Sequence, residues 1–137
     1  MAKTFTAPFC QTTKNASAIV TTASADLTTD PTNTVLLLTA GADGALLTRL
    51  RAVPRATVTA SCLLLWVSLD GGTTKYLLDS VLMAAHTVAA TTAIPTTSFT
   101  AYTEDTPLRL EAGAKLYVGS AVTLAGGIVF NGNYTDF

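Results

Sequence analysis

Charge is what this sequence has least of. Only 12 % of its 137 residues are Asp, Glu, Lys or Arg, and they cancel to a formal net charge of −1. That balance gives no long-range attraction for phosphate backbones or anionic lipid, so neither nucleic acid nor membrane is an expected partner. Histidine and tryptophan occur once each and cysteine twice. The lone His86 has no cysteine near it in sequence, so no metal-ligand spacing is present. Two cysteines cannot build a disulfide framework. Cys62 opens an apolar run and reads as a small buried hydrophobe; Cys10 lies in a stretch without pattern, where an intermolecular bridge is the alternative to a free thiol. No apolar run approaches the roughly 20 residues of a membrane-spanning helix. The first ten residues lack the continuous apolar stretch of a secretory signal.

What is abundant points one way. Threonine supplies 26 residues and alanine 22, within a chain that is 49 % hydrophobic. β-branched threonine suits pleated sheet and can occupy a wet face without bringing charge. A chain of this length buries roughly 70 % of its unfolded surface in one domain, so the core needs neither disulfide nor metal.

Short apolar runs separated by Gly, Pro, Asn and Asp predict strands at 16–22, 34–39, 46–53, 61–69, 74–82, 96–102, 107–110, 115–124 and 127–134, with no convincing amphipathic helix. Residues 1–16, interrupted by Pro8, read as an extended N-terminal arm, and 17–137 as one β-sandwich of about eight antiparallel strands. The glycine turns 41–44, 70–73 and 126–127 read as hairpins. The aperiodic stretch 83–95 reads as a crossover between sheets, which fits a Greek-key or jelly-roll-like topology better than a meander.

Alternation then assigns faces. Leu46, Leu50 and Ala52 fall on one side with Thr48, and Arg49 and Arg51 on the other; Ile128, Phe130 and Tyr134 oppose Asn131, Asn133 and Thr135. In 115–124, Leu116, Val118, Val122 and Leu124 share the inner side. The run 61–69 breaks the rule, because Leu63, Leu65, Val67 and Leu69 face one way while Cys62, Leu64 and Trp66 face the other. Burial on both faces follows. The arm, a long loop or a neighbouring subunit could cover the second face, and a subunit contact is the favoured cover.

Little in the chain reads as chemistry. A triad would need Ser80 or Ser98 and Asp79 or Asp105 to converge on His86, without any nucleophile-elbow pattern to support it. Asp43 and Asp70 sit in glycine turns without the dense acids of a calcium loop, and the glycine pairs open no helix that would cradle phosphate. Arg49, Arg51 and Arg55 form a basic stripe able to meet an acidic patch on a partner; no aromatics interleave them, which argues against single-stranded nucleic acid. The expectation is a protein that is not an enzyme and has no cofactor. Its candidate contact residues are Phe5, Pro8, Phe9 and Cys10 in the arm, Arg49, Arg51 and Arg55 on the stripe, and Leu64 and Trp66 on the second apolar face.

The block from Thr34-Val-Leu-Leu-Leu-Thr-Ala-Gly-Ala-Asp-Gly to Thr57, then Leu65-Trp-Val-Ser-Leu-Asp-Gly-Gly-Thr-Thr-Lys-Tyr, the ending Pro107-Leu-Arg-Leu-Glu-Ala-Gly-Ala-Lys-Leu-Tyr-Val-Gly and Gly127-Ile-Val-Phe resemble small structural proteins of tailed bacteriophages. The likeness covers roughly residues 33–137 and consists of strand and turn patterns. It implies a jelly-roll head decoration, or cement, protein, made in the bacterial host cytoplasm and carried on the capsid exterior. The implied partners are the phage major capsid protein and further copies of the chain, as dimer or trimer. A neck, tail or head-fibre component, able to bind a host glycan, is the alternative; a jelly-roll enzyme ranks below both.

Overall fold

The computed structural model describes residues 12–24 and 26–137, and among them every regular element is a strand. These are β1 (Thr12–Val20), β2 (Val35–Thr39), β3 (Ala45–Pro54), β4 (Ser61–Ser68), β5 (Tyr76–Met83), β6 (Thr97–Ser98), β7 (Leu108–Leu110), β8 (Lys115–Ser120) and β9 (Ile128–Asp136). The pairing nests the chain upon itself: β1 with β9, β2 with β8, β3 with β7 and β4 with β5, all antiparallel. β3 also pairs with β9, and β4 with β8, which rolls the nested ribbon into two sheets. One has five strands, β1-β9-β3-β6 with β7 also on β3, and the other four, β2-β8-β4-β5. This order is that of a jelly-roll sandwich.

The core lies between the sheets. From β9 it takes Ile128 and Phe130, from β4 Leu63 and Leu65, from β8 Leu116 and Val118, and from β3 Leu47, Leu50 and Ala52. Phe99, just past β6, tilts against Phe130 with ring centroids 6.4 Å apart. Asp136 closes one end: its carboxylate accepts the Gly41 N–H at 3.1 Å and pairs with Lys14 at 2.6 Å. The Lys14 hydrogen bond, then the Gly41 N–H, hold that carboxyl below the usual range against the opposing effect of burial.

Several expectations need correction. Among the described residues the first strand spans Thr12–Val20, so residues 12–15 belong to the sheet rather than to an arm. β3 carries a bulge between Leu47 and Arg49, which shifts the alternation. Leu47, not Leu46, therefore enters the core, while Leu46 is half-buried on the outer face. The 41–44 and 126–127 turns are not hairpins; each carries the chain from one sheet to the other, because nested pairing puts their flanking strands on opposite layers. Of the three, only 70–73 joins paired neighbours, with Gly71 and Gly72 at φ 81° and 104°. The 83–95 stretch does cross between sheets, from β5 to β6. The strand expected over 96–102 shrinks to Thr97–Ser98. β8 stops at Ser120, which leaves Val122 exposed beyond it.

The second face of β4 is buried, as its pattern requires, but by this chain itself. The connection 21–34 runs over the four-stranded sheet, held by Ser24 N–H to Ser120 C=O (2.7 Å), Lys75 N–H to Thr29 C=O (3.0 Å) and Asn33 Nδ2 to Ala23 C=O (3.0 Å). Beneath it Trp66 is fully buried and Leu64 nearly so. The indole fills the space left by the missing side chain of Gly119, with Ser24 at its border. Neighbouring Tyr117 is roofed by the Lys75 ammonium, 4.8 Å from its ring centre. Trp66 Nε1 has no partner among the described residues, a cost of about 1–3 kcal/mol. Burying roughly 200 Å² of indole contributes about 5 kcal/mol, so the arrangement is favourable on balance. A subunit contact is not needed there. Cys62 departs from expectation in the opposite sense: it lies at the end of the same face and is exposed.

Candidate functional site

With one sheet roofed by residues 21–34, the open broad face belongs to β1, β9, β3 and β7. Its outward row is set by register. Arg49 faces Asn133 and Arg51 faces Asn131, while Asn133 and Asn131 in turn face Asn15 and Ser17 of β1. Side chains lock these rows together: Asn133 Nδ2 donates to Asn15 Oδ1 and Ser17 Oγ to Asn131 Oδ1, both at 2.8 Å. Such cross-strand amide and hydroxyl pairs stiffen the surface without covering it. Arg109 of β7 lies opposite Leu46 and extends the basic character of this face.

Arg49 and Arg51 reach the surface only because of the β3 bulge. Strict alternation from Ala45 and Leu47 would point both arginines into the core; the extra residue, Thr48, turns them out. Thr48 then donates its hydroxyl to the Asn133 carbonyl at 3.1 Å. Arg55 follows the strand's end, its N–H bonded to Gly127 C=O at 3.0 Å and its side chain exposed. Among the described residues none of these three arginines makes an ion pair, so their guanidinium donors are available to a ligand.

Beside Arg49 the face dips into a groove of about 750 Å³, walled by Thr48, Arg49, Asn133, Thr100, Thr103 and Glu104. The far wall is a turn held by its own threonines: Thr103 and Thr106 hydroxyls lie 2.9 Å apart, and Thr106 Oγ1 donates to the Ala101 carbonyl. Tyr102 also borders the groove. Burial, then the nearby Asp79 carboxylate, push its phenol up to about 12, so it stays a neutral donor at physiological pH. Hydroxyls, amides and one guanidinium make this a hydrogen-bonding surface for polypeptide or saccharide.

The residues expected to act together do not gather in one place. Arg49, Arg51 and Arg55 share the open face. Leu64 and Trp66 lie on the other sheet and are sealed, so they are withdrawn as contact residues. Phe5, Pro8, Phe9 and Cys10 lie outside the described residues. His86 sits in an isolated bridge with Val58, exchanging backbone bonds of 2.9 and 3.0 Å. Its Nε2 is buried and has no hydrogen-bond partner among the described residues, so neither serine nor aspartate engages it. Among the described residues no three His, Cys, Asp or Glu side chains cluster as metal ligands would. The groove's threonine-rich wall went unread in the sequence. The Thr103-x-x-Thr106 spacing signals a local turn, but nothing local says which sheet that turn leans on.

Comparison with protein-family models, curated proteins and solved structures gives no match.

Proposed function

We propose that this chain is a non-enzymatic virion protein of a tailed bacteriophage, which binds the outside of the major capsid protein shell and stabilises the head. The observation that supports this most is the asymmetry of the sandwich. One broad face is closed by the chain's own 21–34 connection, while the other is open, stiffened by side-chain pairs and carries arginines without carboxylate partners. A rigid jelly-roll body with one such face suits docking on a large protein surface, and the phage-like strand and turn patterns of residues 33–137 point to a shell. In this reading Arg49, Arg51 and Arg55 meet acidic side chains of the capsid protein, and residues 1–11 add further contact. Repeated weak contacts on a regular lattice sum by avidity, which lets a modest face hold a pressurised head together.

The test is occupancy on isolated heads. The R49E/R51E double variant, whose two positions are surface-exposed or half-exposed, folds normally and loses at least tenfold in head binding; binding of the original chain weakens as salt rises. Equal occupancy by variant and parent refutes the docking face. Deleting residues 2–11 tests the second contact in the same assay, and unchanged occupancy removes it. Tyr102 on the groove wall favours one rival, a neck, tail or head-fibre component that binds glycan. Copy number separates the two readings, since a decoration protein is present in hundreds per particle and a neck or tail part in a few dozen at most.

A further inference from the structure

A cluster of exposed apolar side chains gathers on the four-stranded sheet, away from the arginine face. β5 is the edge of the four-stranded sheet, and it leaves Tyr76 53 %, Leu77 38 %, Leu78 39 % and Leu82 67 % exposed. Leu69, at the hairpin leading into it, is 56 % exposed, and the exposed Cys62 faces Leu82 across the β4–β5 pair. Edge strands are normally shielded from pairing with other chains. The other edges here follow that rule: β1 opens with Thr12, Thr13, Lys14 and Asn15, β2 is five residues long and bulged, and β6 and β7 have two and three residues. β5 has eight residues without Lys, Arg, Pro or Gly. Its one charge, Asp79, accepts the Ser80 N–H at 2.8 Å and stands beside Tyr102. A bulge opposite Leu65 and Trp66 interrupts the ladder and leaves Leu77 and Leu78 both exposed.

We infer that a second copy of this chain covers β5, the two β5 strands packing antiparallel through their leucines about a two-fold axis. Three features select a second copy over a different partner. The surface is neutral apart from Asp79, so it offers a charged partner nothing to pair with, and self-association brings no row of like charges together. Antiparallel β5 strands are self-complementary under a two-fold axis, which places Leu82 of one copy near Leu77 and Leu78 of its mate. The five side chains leave on the order of 500 Å² of apolar surface per copy, so two copies can bury up to about 1,000 Å², the lower bound for a specific interface. The bulge makes this a side-chain interface rather than a continuous ladder. It also leaves both arginine faces free. The inference goes beyond the capsid reading and does not depend on it.

The test uses the free full-length chain under reducing conditions, without phage particles. Sedimentation equilibrium from 1 to 100 µM gives a dimer of the 14.2 kDa chain. L82K and L78K/L82K, at positions that contribute little to the core, weaken the dimer at least 100-fold while circular dichroism and Trp66 emission stay unchanged. I19K, an equally exposed site on the other sheet, and deletion of residues 2–11 leave the dimer intact. Nitroxide on Cys62 in a C10S chain gives dipolar coupling between labels, because Cys62 lies beside Leu82, one strand spacing of about 4.8 Å from the β5 contact in each copy. A monomer at 100 µM, a trimer, an absence of coupling, or a dimer that survives L78K/L82K overturns the inference. So does a dimer lost with I19K or with deletion of residues 2–11.

Discussion

Gly119 is the position at which the self-sealed face can be tested by a single methyl group. A Cβ there would stand 2.7 Å from Trp66 Cζ3, 3.1 Å from Cη2 and 3.3 Å from Ser24 Cβ. Carbon atoms prefer separations of about 3.5–4.0 Å, so the indole must move by nearly 1 Å or residues 21–34 must lift. Gly119 has no positive φ, so the conflict in G119A is one of space rather than backbone strain. Overpacking of this kind costs about 1–3 kcal/mol, offset in part by about 0.4–1 kcal/mol from the stiffer unfolded chain. The net loss of about 1–2 kcal/mol lowers the Tm by about 3–10 °C in a chain of this size. W66F removes the two ring atoms that collide, so in that background G119A costs at least about 1 kcal/mol less, a coupling that a double-mutant cycle reads directly. The assay is thermal unfolding by circular dichroism for all four variants. Emission of the single tryptophan accompanies it, expected to be blue-shifted and independent of protein concentration in the parent. Equal costs of G119A in both backgrounds would refute the packing. So would a parental emission maximum that shifts to the red as the folded chain is diluted, since the indole's cover would then be another subunit.

The lowered carboxyl of Asp136 adds stability that is complete above its unfolded value, near the ordinary 3.8 of an aspartate, and that drains away as pH falls through the lower folded value. The Tm therefore drops below about pH 4, and D136N, which lowers the Tm at neutral pH, flattens that acid limb; identical limbs for both proteins would remove Asp136 from the account. Deleting Thr48 removes the extra residue of the β3 bulge and leaves strict alternation, with Ala45, Leu47, Leu50 and Ala52 inward and Arg49 and Arg51 outward. A cooperative unfolding transition by circular dichroism is therefore expected for the deletion, and its loss would refute the bulge as the source of the facing; T48A, losing one hydroxyl bond, costs about 1 kcal/mol. Cys62, exposed beside Leu82, reacts with a thiol reagent in the folded C10S chain at a rate close to that of the denatured chain; protection of a hundredfold or more would contradict its exposure.

The positions of the strands were legible because turns and alternation are local signals. Each of the nine described strands overlaps a run bounded by Gly, Pro, Asn or Asp, and β9 alternates as read, with Ile128, Phe130 and Tyr134 inward. The losses occurred where distant parts of the chain meet. A glycine turn such as 41–44 has the same chemistry whether its flanking strands pair or part, and nested pairing decides the matter from nearly a hundred residues away, where Asp136 reaches back to Gly41. The burial of Trp66 on its second face was legible as a need, but the covering segment was not. Residues 21–34 are polar and irregular, and their role depends on Ser24 and Thr29 reaching β8 and Lys75. Cys62 was misread because apolar neighbours in sequence are not neighbours in depth: it lies toward the end of the roofed face, beside exposed Leu82, while Leu64 and Trp66 lie under the roof.

The arginine face shows how one irregularity joins core and surface. β3 touches β6, β7 and β9, so its inward residues Ala45, Leu47, Leu50 and Ala52 help tie the five-stranded sheet to the core. A strand this central cannot shift register to suit a surface need, because a one-residue slip would exchange its faces along the whole length. A bulge meets both requirements. Before Thr48 the inward positions are odd-numbered; after it they are even-numbered, and Arg49, Arg51 and Val53 come to the open side. Nothing in the packing of the core requires arginine there, since exposed threonine, the commonest residue in the chain, would fill a strand face at no electrostatic cost. Two guanidinium groups spaced one alternation apart, with a third at Arg55 and no acids bonded to them, are better explained by something they meet than by the fold that carries them.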